Sequence, residues 1–247
     1  MRLRDKIAIV TGASRGIGRA IAFGLAREGA EVIISYQGNA EAAGETVNTI
    51  TEAGGHARAI QADGGDLDQI SRFFAEVITT TPQIDILVNN VGSASTGPQP
   101  LGTVDLMEYE RLFNLNTRGL FFTSQEALKL MRDGGRIVNI SSVASRMTAP
   151  GRSVYAGTKG ATEAFTRVWA AELGSRGITV NSVLPGTVET DRLKEQLSPE
   201  MRETFVKMTP LARIGQPDDI ADVVVFLCSE EGRWLTAQNL IASGGFG

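Results

Sequence analysis

Short runs of β-branched residues alternate with longer segments of helical periodicity along the whole chain, and this order restricts the possible fold more than any other feature. Each short run is apolar almost throughout, as expected of strands that are buried on both faces. The predicted strands cover residues 6–12, 31–36, 57–63, 85–92, 135–142, 178–186 and 238–243. The predicted helices cover 17–27, 40–53, 68–79, 104–131 with a break near Asn116, 153–173 and 218–228.

This alternation is typical of a parallel sheet whose crossover helices cover both faces. The sequence therefore predicts an α/β fold, a doubly wound Rossmann-type sheet of seven parallel strands. A hydrophobic content of 42% is enough to bury a large core. Since the regular order offers no point at which to divide the 247 residues, we expect one domain over 1–247.

The composition argues against several classes of function. A formal net charge of −4, with basic residues grouped only in pairs, would repel a nucleic-acid backbone. One cysteine, Cys228, and one histidine, His56, allow no internal disulfide and no thiolate metal cluster, so we expect no metal. The apolar run before Gly12 is too short for a secretion signal, and no uncharged 18-residue stretch follows. We therefore expect a cytoplasmic protein that does not bind membranes.

The first strand leads into a glycine-rich turn that could bind a pyrophosphate. Gly12, Gly16 and Gly18 precede an apolar-periodic helix with the spacing G-x-x-x-G-x-G. Glycines allow a sharp turn and a close approach of the backbone, and the following helix N-terminus offers free N–H groups. The alternative is that these glycines only solve a packing problem at the turn.

The end of the second strand bears on the choice of dinucleotide. A fold that selects NAD usually carries an acid there for the ribose hydroxyls, but this chain has Ser35, Tyr36 and Gln37. Arg15 in the glycine turn could bind a 2′-phosphate by a charge-assisted hydrogen bond. We therefore predict NADP(H), unless Arg15 is an ordinary solvated loop residue.

Tyr155 and Lys159 are the strongest candidates for chemistry. Residues at i and i+4 share a helix face, and a nearby ammonium favours the anion of a phenol whose pKa is otherwise about 10. Such a pair can exchange a proton near neutrality. The alternative is an ordinary tyrosine and lysine on a surface helix, without a catalytic role. Gly157 lies between them at a cost of about 1 kcal/mol relative to alanine, and we expect it to admit the nicotinamide ribose and neighbouring backbone.

Ser142 ends the fifth predicted strand and could polarise a substrate carbonyl by a hydrogen bond. Ser141 competes for this role, but strand alternation turns the two serines to opposite faces, so only one can serve.

Together these features resemble the short-chain dehydrogenase/reductase family over essentially the whole chain. The nearest branch resembles 3-oxoacyl-thioester reductases and small carbonyl reductases. The matching segments are 11–18, Asp63, 89–92, Asn116, 139–142, 155–159, 185–190, 210–229 and 243–245.

The resemblance implies a role for each matching residue. Tyr155 would be the general acid in reduction and the base in oxidation, Lys159 would also hold the nicotinamide ribose, and Asn116 would order a water molecule. Asn116 could instead simply end a helix, and Asp63 could cap a helix or touch the adenine. The family's usual assembly is a homotetramer. The implied cofactor-binding residues are Gly12, Ser14, Arg15, Gly16, Ile17, Gly18, Tyr36, Asp63, Gly64, Asn90, Gly92, Tyr155, Lys159, Pro185, Gly186, Val188 and Thr190.

The chain departs from the family pattern at four places. Val91 replaces the usual alanine, and the segment 63–66 reads Asp-Gly-Gly-Asp where Asp-Val-x-Asp is usual. The segment 236–238 lacks its usual glycine, and the residue before the final glycine pair is not the usual aspartate. None of these changes removes a residue with a catalytic role in the family.

The segment 187–213 is expected to cover the substrate, with the loops 92–100 and 144–153 shaping the pocket. Arg146 and Arg152 could meet a substrate carboxylate. Apolar residues on several faces of two helices suggest a subunit interface; they are Leu112, Leu115, Leu120, Phe121, Phe122, Val154, Ala161, Ala164 and Val168, with Phe165 and Trp169 nearby as packing or interface residues.

The leading hypothesis is an NADP(H)-dependent reductase of a small ketone, an aldehyde or a 3-oxoacyl thioester. The alternatives are an NAD-dependent alcohol or polyol dehydrogenase and a non-catalytic nucleotide sensor.

Overall fold

Seven parallel strands form one sheet in the order β3-β2-β1-β4-β5-β6-β7. The computed structural model describes residues 1–94 and 97–246, and of Arg192 and Gln196 only the backbone. The strands are β1 Ile7–Val10, β2 Glu31–Tyr36, β3 His56–Gln61, β4 Ile84–Asn89, β5 Met131–Ile140, β6 Thr179–Pro185 and β7 Asn239–Ala242. The longer helices are α1 Gly16–Arg27, α2 Ala40–Glu52, α3 Leu67–Thr80, α4 Leu106–Phe113, α5 Leu120–Leu130, α6 Ser153–Leu173, α7 Asp191–Gln196, α8 Pro199–Met208 and α9 Pro217–Cys228.

The strands are buried on both faces, as their near-continuous apolar sequences predict. In β1, Val10 packs in the core layer that contains Leu25 of α1 and Val224 of α9, whereas Ile9 packs on the opposite face with Phe73 of α3. Successive side chains of a strand point to opposite faces, so each strand contributes to both layers. The predicted doubly wound α/β fold is confirmed.

The order of the strands reverses between β1 and β4. In a sheet of this kind, the crevice beyond the carboxyl ends of the strands at this reversal is where ligands bind. Every predicted strand and helix is present to within a few residues, and the segment 187–213 contains the two short helices α7 and α8. Within the described part of the chain, no helix is both long enough and apolar enough to span a bilayer.

The predicted helix 104–131 is interrupted near Asn116 as expected but ends earlier than predicted. A π-helical turn, Asn114–Gly119, separates α4 from α5, and α5 ends at Leu130. Met131 pairs with Ile84 and so begins β5, and the register shifts before Arg136 pairs with Ile86. The helical assignment of Met131 was wrong because an apolar residue at the end of a helical pattern also fits a buried strand.

Candidate active site

A cleft with a cavity volume of about 640 Å³ opens at the carboxyl ends of the strands. The described residues that line it come from the glycine turn, the loop after β4, the end of β5, α6 and the segment after β6. Among them are most of the predicted site residues: Gly12, Arg15, Gly16, Ile17, Gly18, Asn90, Gly92, Ser142, Tyr155, Lys159, Pro185, Gly186, Val188 and Thr190.

The glycine turn has the geometry that a pyrophosphate requires. Gly12 and Gly16 have φ angles of +63° and +57°, a region that side chains other than glycine rarely adopt. A Cβ atom on Gly18 would lie 2.6 Å from the Gly12 carbonyl oxygen. The turn packs this tightly because Asn90 donates from Nδ2 to the carbonyl oxygens of Thr11 and Gly12, at 2.9 and 3.0 Å. Gly16, Ile17 and Gly18 of the first turn of α1 line the cleft, and a helix N-terminus is a favourable position for a phosphate.

The predicted cofactor residues Ser14, Tyr36, Asp63 and Gly64 are not among the described residues that line the cavity. The carbonyl oxygen of Ser14 is held by Arg19, whose Nη2 donates to it at 2.9 Å. Arg15 is exposed and lines the cleft.

The carboxylate of Asp63 accepts hydrogen bonds from Gln37 Nε2 and from the Gly65 backbone N–H, both at 2.8 Å. Asp66, not Asp63, caps α3, because its side chain accepts from the backbone N–H groups of residues 68 and 69. The capping alternative for Asp63 was therefore wrong.

Two of the departures from the family pattern lie in contact with each other. A Cβ atom on Gly64 would lie 2.8 Å from Val91 Cγ1, and one on Gly12 would lie 2.9 Å from Val91 Cγ2. Gly64 and Val91 also line a small inner cavity of about 20 Å³, which is room for about one water molecule. Val91 therefore occupies the space that a side chain at position 64 would need.

Lys159 is 4% exposed and lies at the floor of the cleft. Its ammonium donates from Nζ to the Ile140 carbonyl oxygen at 2.9 Å and lies 5.9 Å from the centre of the Tyr155 ring. Burial lowers the pKa of Lys159 to about 8, because the protein interior disfavours the charged form. A Cβ atom on Gly92 would lie 3.0 Å from Nζ, so the glycine leaves room for the ammonium.

Both serines after β5 line the cleft, but their hydroxyl groups have different partners. Ser142 Oγ accepts from the Ala144 backbone N–H at 3.2 Å, whereas buried Ser141 donates from Oγ to the Lys159 carbonyl oxygen at 3.1 Å. Ser141 Oγ also lies 3.4 Å from Glu163 Oε1. Because Ser141 Oγ is bonded to α6, Ser142 is the favoured candidate, and its role stays a prediction.

Arg146, one of the two arginines considered for a substrate carboxylate, is not among the described residues that line the cleft. Its Nε donates to buried Glu163 at 2.9 Å, so this pair ties the loop after Ser142 to α6. Arg152, the other candidate, lines the cleft.

Asn116 is fully buried in the π-helical turn and is held by three hydrogen bonds. Its Oδ1 accepts from the Ser93 backbone N–H at 2.9 Å, and its Nδ2 donates to the Ser93 carbonyl oxygen at 2.9 Å and to Thr158 Oγ1 at 3.1 Å. The π-helical turn thereby fixes the loop after β4 against α6.

A row of buried threonines runs along α6 on the side that faces the sheet. Thr158, Thr162 and Thr166 are each 0% exposed and donate to carbonyl oxygens one turn back in the helix. Asn139 of β5 donates from Nδ2 to Thr166 Oγ1 at 2.9 Å, just as Asn116 donates to Thr158. This threonine row joins α6 to β5 and to the π-helical turn through side-chain hydrogen bonds.

One expectation about the surface of α6 was wrong, and the expected subunit interface stays a prediction. Gly157 does not face the cleft, since its nearest neighbour would be Phe113 Cζ of α4, 3.9 Å from an added Cβ. A helical periodicity of 3.6 places position 157 about 200° around the axis from Tyr155. Of the apolar residues proposed for a subunit interface, some are core and some are exposed. Leu112, Leu120, Val154 and Trp169 are buried, whereas Phe122 and Val168 are exposed by 37% and 54%.

Sequence reasoning did not find three residues that line the cleft, Met147, Phe205 and Phe246. Their only sequence signal was their position, in the predicted pocket loop, in the predicted covering segment and just after the final glycine pair.

A doubly wound sheet whose cleft holds a glycine turn, a serine and a tyrosine–lysine pair defines a dinucleotide-binding oxidoreductase. A family profile described as enoyl-(acyl carrier protein) reductase matches residues 12–247. The probable tetrahydroxynaphthalene reductase of Zymoseptoria tritici is 40% identical over 249 residues, covering 96% of this chain and 92% of that protein. The chain belongs to the short-chain dehydrogenase/reductase family.

Solved structures agree closely with this fold. The angucycline C-6 ketoreductase LanV, with bound NADP, has a TM-score of 0.93 and 40% identity, covering 99% of this chain and 96% of that one. A short chain dehydrogenase from Burkholderia cenocepacia J2315, in complex with NADP, has a TM-score of 0.92 and 38% identity, covering 99% of each chain.

Proposed function

We propose that the protein is an NADP(H)-dependent carbonyl reductase that converts a ketone or an aldehyde, including a 3-oxoacyl thioester, into an alcohol. The observation that carries this proposal is that Ser142, Tyr155 and Lys159 line one cleft together with the glycine turn. The names of the relatives described above, a hydroxynaphthalene reductase and a ketoreductase, support reduction as the reaction. The whole chain acts as one dinucleotide-binding and catalytic unit.

NADP(H) is the cofactor, supported by its presence in two of the solved neighbours and by the chemistry of the cleft. The turn of Gly12, Gly16 and Gly18 binds the pyrophosphate, and Arg15 binds the 2′-phosphate. Lys159 binds the nicotinamide ribose. When bound, the cofactor supplies the hydride that adds to the carbonyl carbon.

Ser142 and Tyr155 act on the carbonyl oxygen. Ser142 donates a hydrogen bond to it and so stabilises the negative charge that develops as the new C–H bond forms. Tyr155 then transfers its hydroxyl proton to this oxygen, which completes the alcohol. Lys159, charged and 4% exposed, stabilises the phenolate that remains on Tyr155. Asn116 orders a water molecule that supplies protons to Lys159.

Replacing Tyr155 tests the mechanism. We expect Tyr155→Phe to lower kcat for ketone reduction by at least about 100-fold, because general-acid catalysis contributes roughly 10²–10⁴-fold. The assay is NADPH oxidation across ketones, quinones, aldehydes and 3-oxoacyl thioesters, with NADPH binding measured separately. Tyr109→Phe, on the exposed face of α4, is the matched control. Unchanged reduction by Tyr155→Phe would contradict the mechanism, and tight NADPH binding without any turnover would favour the sensor hypothesis.

Replacing Arg15 tests the cofactor preference. A charge-assisted hydrogen bond contributes about 1.5–3 kcal/mol, so we expect Arg15→Ala to weaken NADPH binding by roughly 10- to 100-fold and to leave NADH binding unchanged. Arg27→Ala removes an exposed arginine that pairs with Asp222 and serves as the control. Equal loss of affinity for both dinucleotides would refute the assignment of Arg15 to the 2′-phosphate. A wild-type protein that binds NADH more tightly than NADPH would favour an NAD-dependent dehydrogenase.

The exposed residues of α5 and α6, Phe122 and Val168, support a homotetramer of the kind usual in the family. A monomeric mass in light scattering at micromolar concentration would refute this assembly. The cytoplasmic location also stays a prediction.

A further inference from the structure

The substrate end of the cleft has an apolar wall built from three separate segments. The wall consists of Val143 and Met147 in the loop after β5, Phe205 of α8, and Phe246 after β7. Val143 directly follows Ser142, so the wall begins one residue from the hydroxyl proposed to bind the carbonyl. Within the described lining of the cleft, the charged residues are Arg15, Arg152, Lys159 and Asp191.

Two phenylalanines give the apolar wall its shape. The rings of Phe205 and Phe246 lie 6.3 Å apart between centroids with an angle of 82° between their planes. Perpendicular rings place the electron-poor edge of one beside the electron-rich face of the other. Met147 adds a polarisable thioether, which packs favourably against aromatic groups. A flat aromatic body complements such a surface better than a puckered saturated one.

The segment that carries Phe246 is fixed in place. Phe246 is 7% exposed, and its backbone N–H donates to the Ser243 carbonyl oxygen at 3.3 Å. Gly244 and Gly245 have φ angles of +66° and +91°, and a Cβ atom on Gly245 would lie 2.7 Å from Pro210 Cγ. The Leu211 backbone N–H donates to the Gly244 carbonyl oxygen at 3.1 Å. The tail is thus packed against the end of α8, and the two phenylalanines are held in one arrangement before substrate binds.

We propose that Phe246, together with Phe205 and Met147, selects aromatic-fused cyclic ketones as the substrate class of this cleft. This inference rests on the proposed carbonyl reductase function. The ring system of the substrate packs on the apolar wall while its carbonyl lies between Ser142 and Tyr155.

Two ketones with the same ten-carbon skeleton test the proposal. 2-Tetralone and trans-2-decalone both carry an unconjugated carbonyl, but only the first has a flat aromatic ring. We expect wild-type kcat/KM with NADPH to favour 2-tetralone by about tenfold, since each aromatic contact is worth roughly 0.5–1.5 kcal/mol and tenfold is about 1.4 kcal/mol.

Leucine variants locate the source of the preference. Phe246→Leu and Phe205→Leu retain apolar bulk but remove the rings, so each should reduce the tetralone-to-decalone ratio by about three- to tenfold. Phe74→Leu is the matched control, because Phe74 also forms a perpendicular pair, with Phe73, in α3. Its ratio should equal that of the wild type. If Phe246→Leu fails to fold, the ratio measured with Phe205→Leu tests the proposal. Phe205 is only partly buried, so its replacement disturbs the fold less.

The outcomes separate this inference from the function on which it rests. Ratios within twofold of wild type in both variants would overturn it. A wild-type enzyme that prefers trans-2-decalone would also overturn it. So would a wild-type enzyme that reduces ethyl acetoacetate in a Tyr155-dependent reaction but reduces neither bicyclic ketone. In both cases the carbonyl reductase function would still hold. The absence of NADPH oxidation with every ketone would refute the function itself, and the inference with it.

Discussion

Gly64 and Val91 depart from the family pattern at two positions that touch, and we predict that changing both costs less stability than changing either. Gly64→Val places its Cβ 2.8 Å from Val91 Cγ1, well inside a normal carbon–carbon contact. Overpacking of this kind costs about 1–3 kcal/mol. Val91→Ala removes two methyl carbons, worth roughly 1.6 kcal/mol of burial, and enlarges the adjacent 20 Å³ cavity at a further cost.

In the double variant the new valine fills the space that the old one leaves. We therefore expect the double variant to lie within about 1 kcal/mol of wild type, although the single changes sum to roughly 4 kcal/mol. Thermal unfolding at one protein concentration measures this, because 1 kcal/mol moves Tm by about 2–4 °C in a chain of this size. The control combines Gly64→Val with Val32→Ala in β2, and the effects of these two changes on stability should be additive. A coupling free energy below about 0.5 kcal/mol in the Gly64–Val91 double-mutant cycle would refute the idea that the Val91 side chain compensates for the missing side chain at position 64.

Lys159, Gly119 and Thr158 each give a further testable prediction. Because the pKa of Lys159 lies at about 8 when folded and 10.5 is its ordinary value, the unfolded chain binds more protons between these values. In urea denaturation, the free energy of unfolding of the wild type should therefore rise between pH 7.5 and 10 by about 2–3 kcal/mol more than that of Lys159→Met. The same pH dependence in both proteins would contradict this. Gly119→Ala would bring a Cβ into the Gly64 carbonyl oxygen and should cost about 3 kcal/mol or more. Gly44→Ala in α2, with open space around it, should gain about 1 kcal/mol, and equal Tm values for the two variants would contradict this packing. Thr158→Val leaves a buried Asn116 N–H without its acceptor and should lower the free energy of unfolding by about 1–3 kcal/mol, with Thr158→Ser restoring most of it.

The sequence predicted the sheet and its helices because both faces of each strand are buried and periodicity survives in every helix. It predicted the break at Asn116 but not its form, since a π-helical turn has no distinct hydrophobic period. It placed Met131 in a helix because one apolar residue fits either element.

The candidate site was predicted less evenly. Residues within one motif, such as Tyr155 and Lys159, share a cleft because their spacing fixes their common face. Contacts between distant segments could not be read from spacing, so the roles of Glu163 as the partner of Arg146 and of Phe246 as part of the cleft were missed. The prediction for Gly157 was wrong because a residue two positions from Tyr155 lies on the opposite side of the helix.

The threonine row along α6 has a consequence for precision. The hydrophobic effect is non-directional, whereas a hydrogen bond weakens steeply as its angle departs from linear. A roll of about 20° would carry an atom 6 Å from the axis by about 2 Å, and displacements near 1 Å already cost roughly 100-fold in rate. Hydrogen bonds from Asn116 and Asn139 to Thr158 and Thr166 act at two levels along the helix and resist this roll. The phenol of Tyr155 is thus aimed by polar bonds on the same face of its own helix.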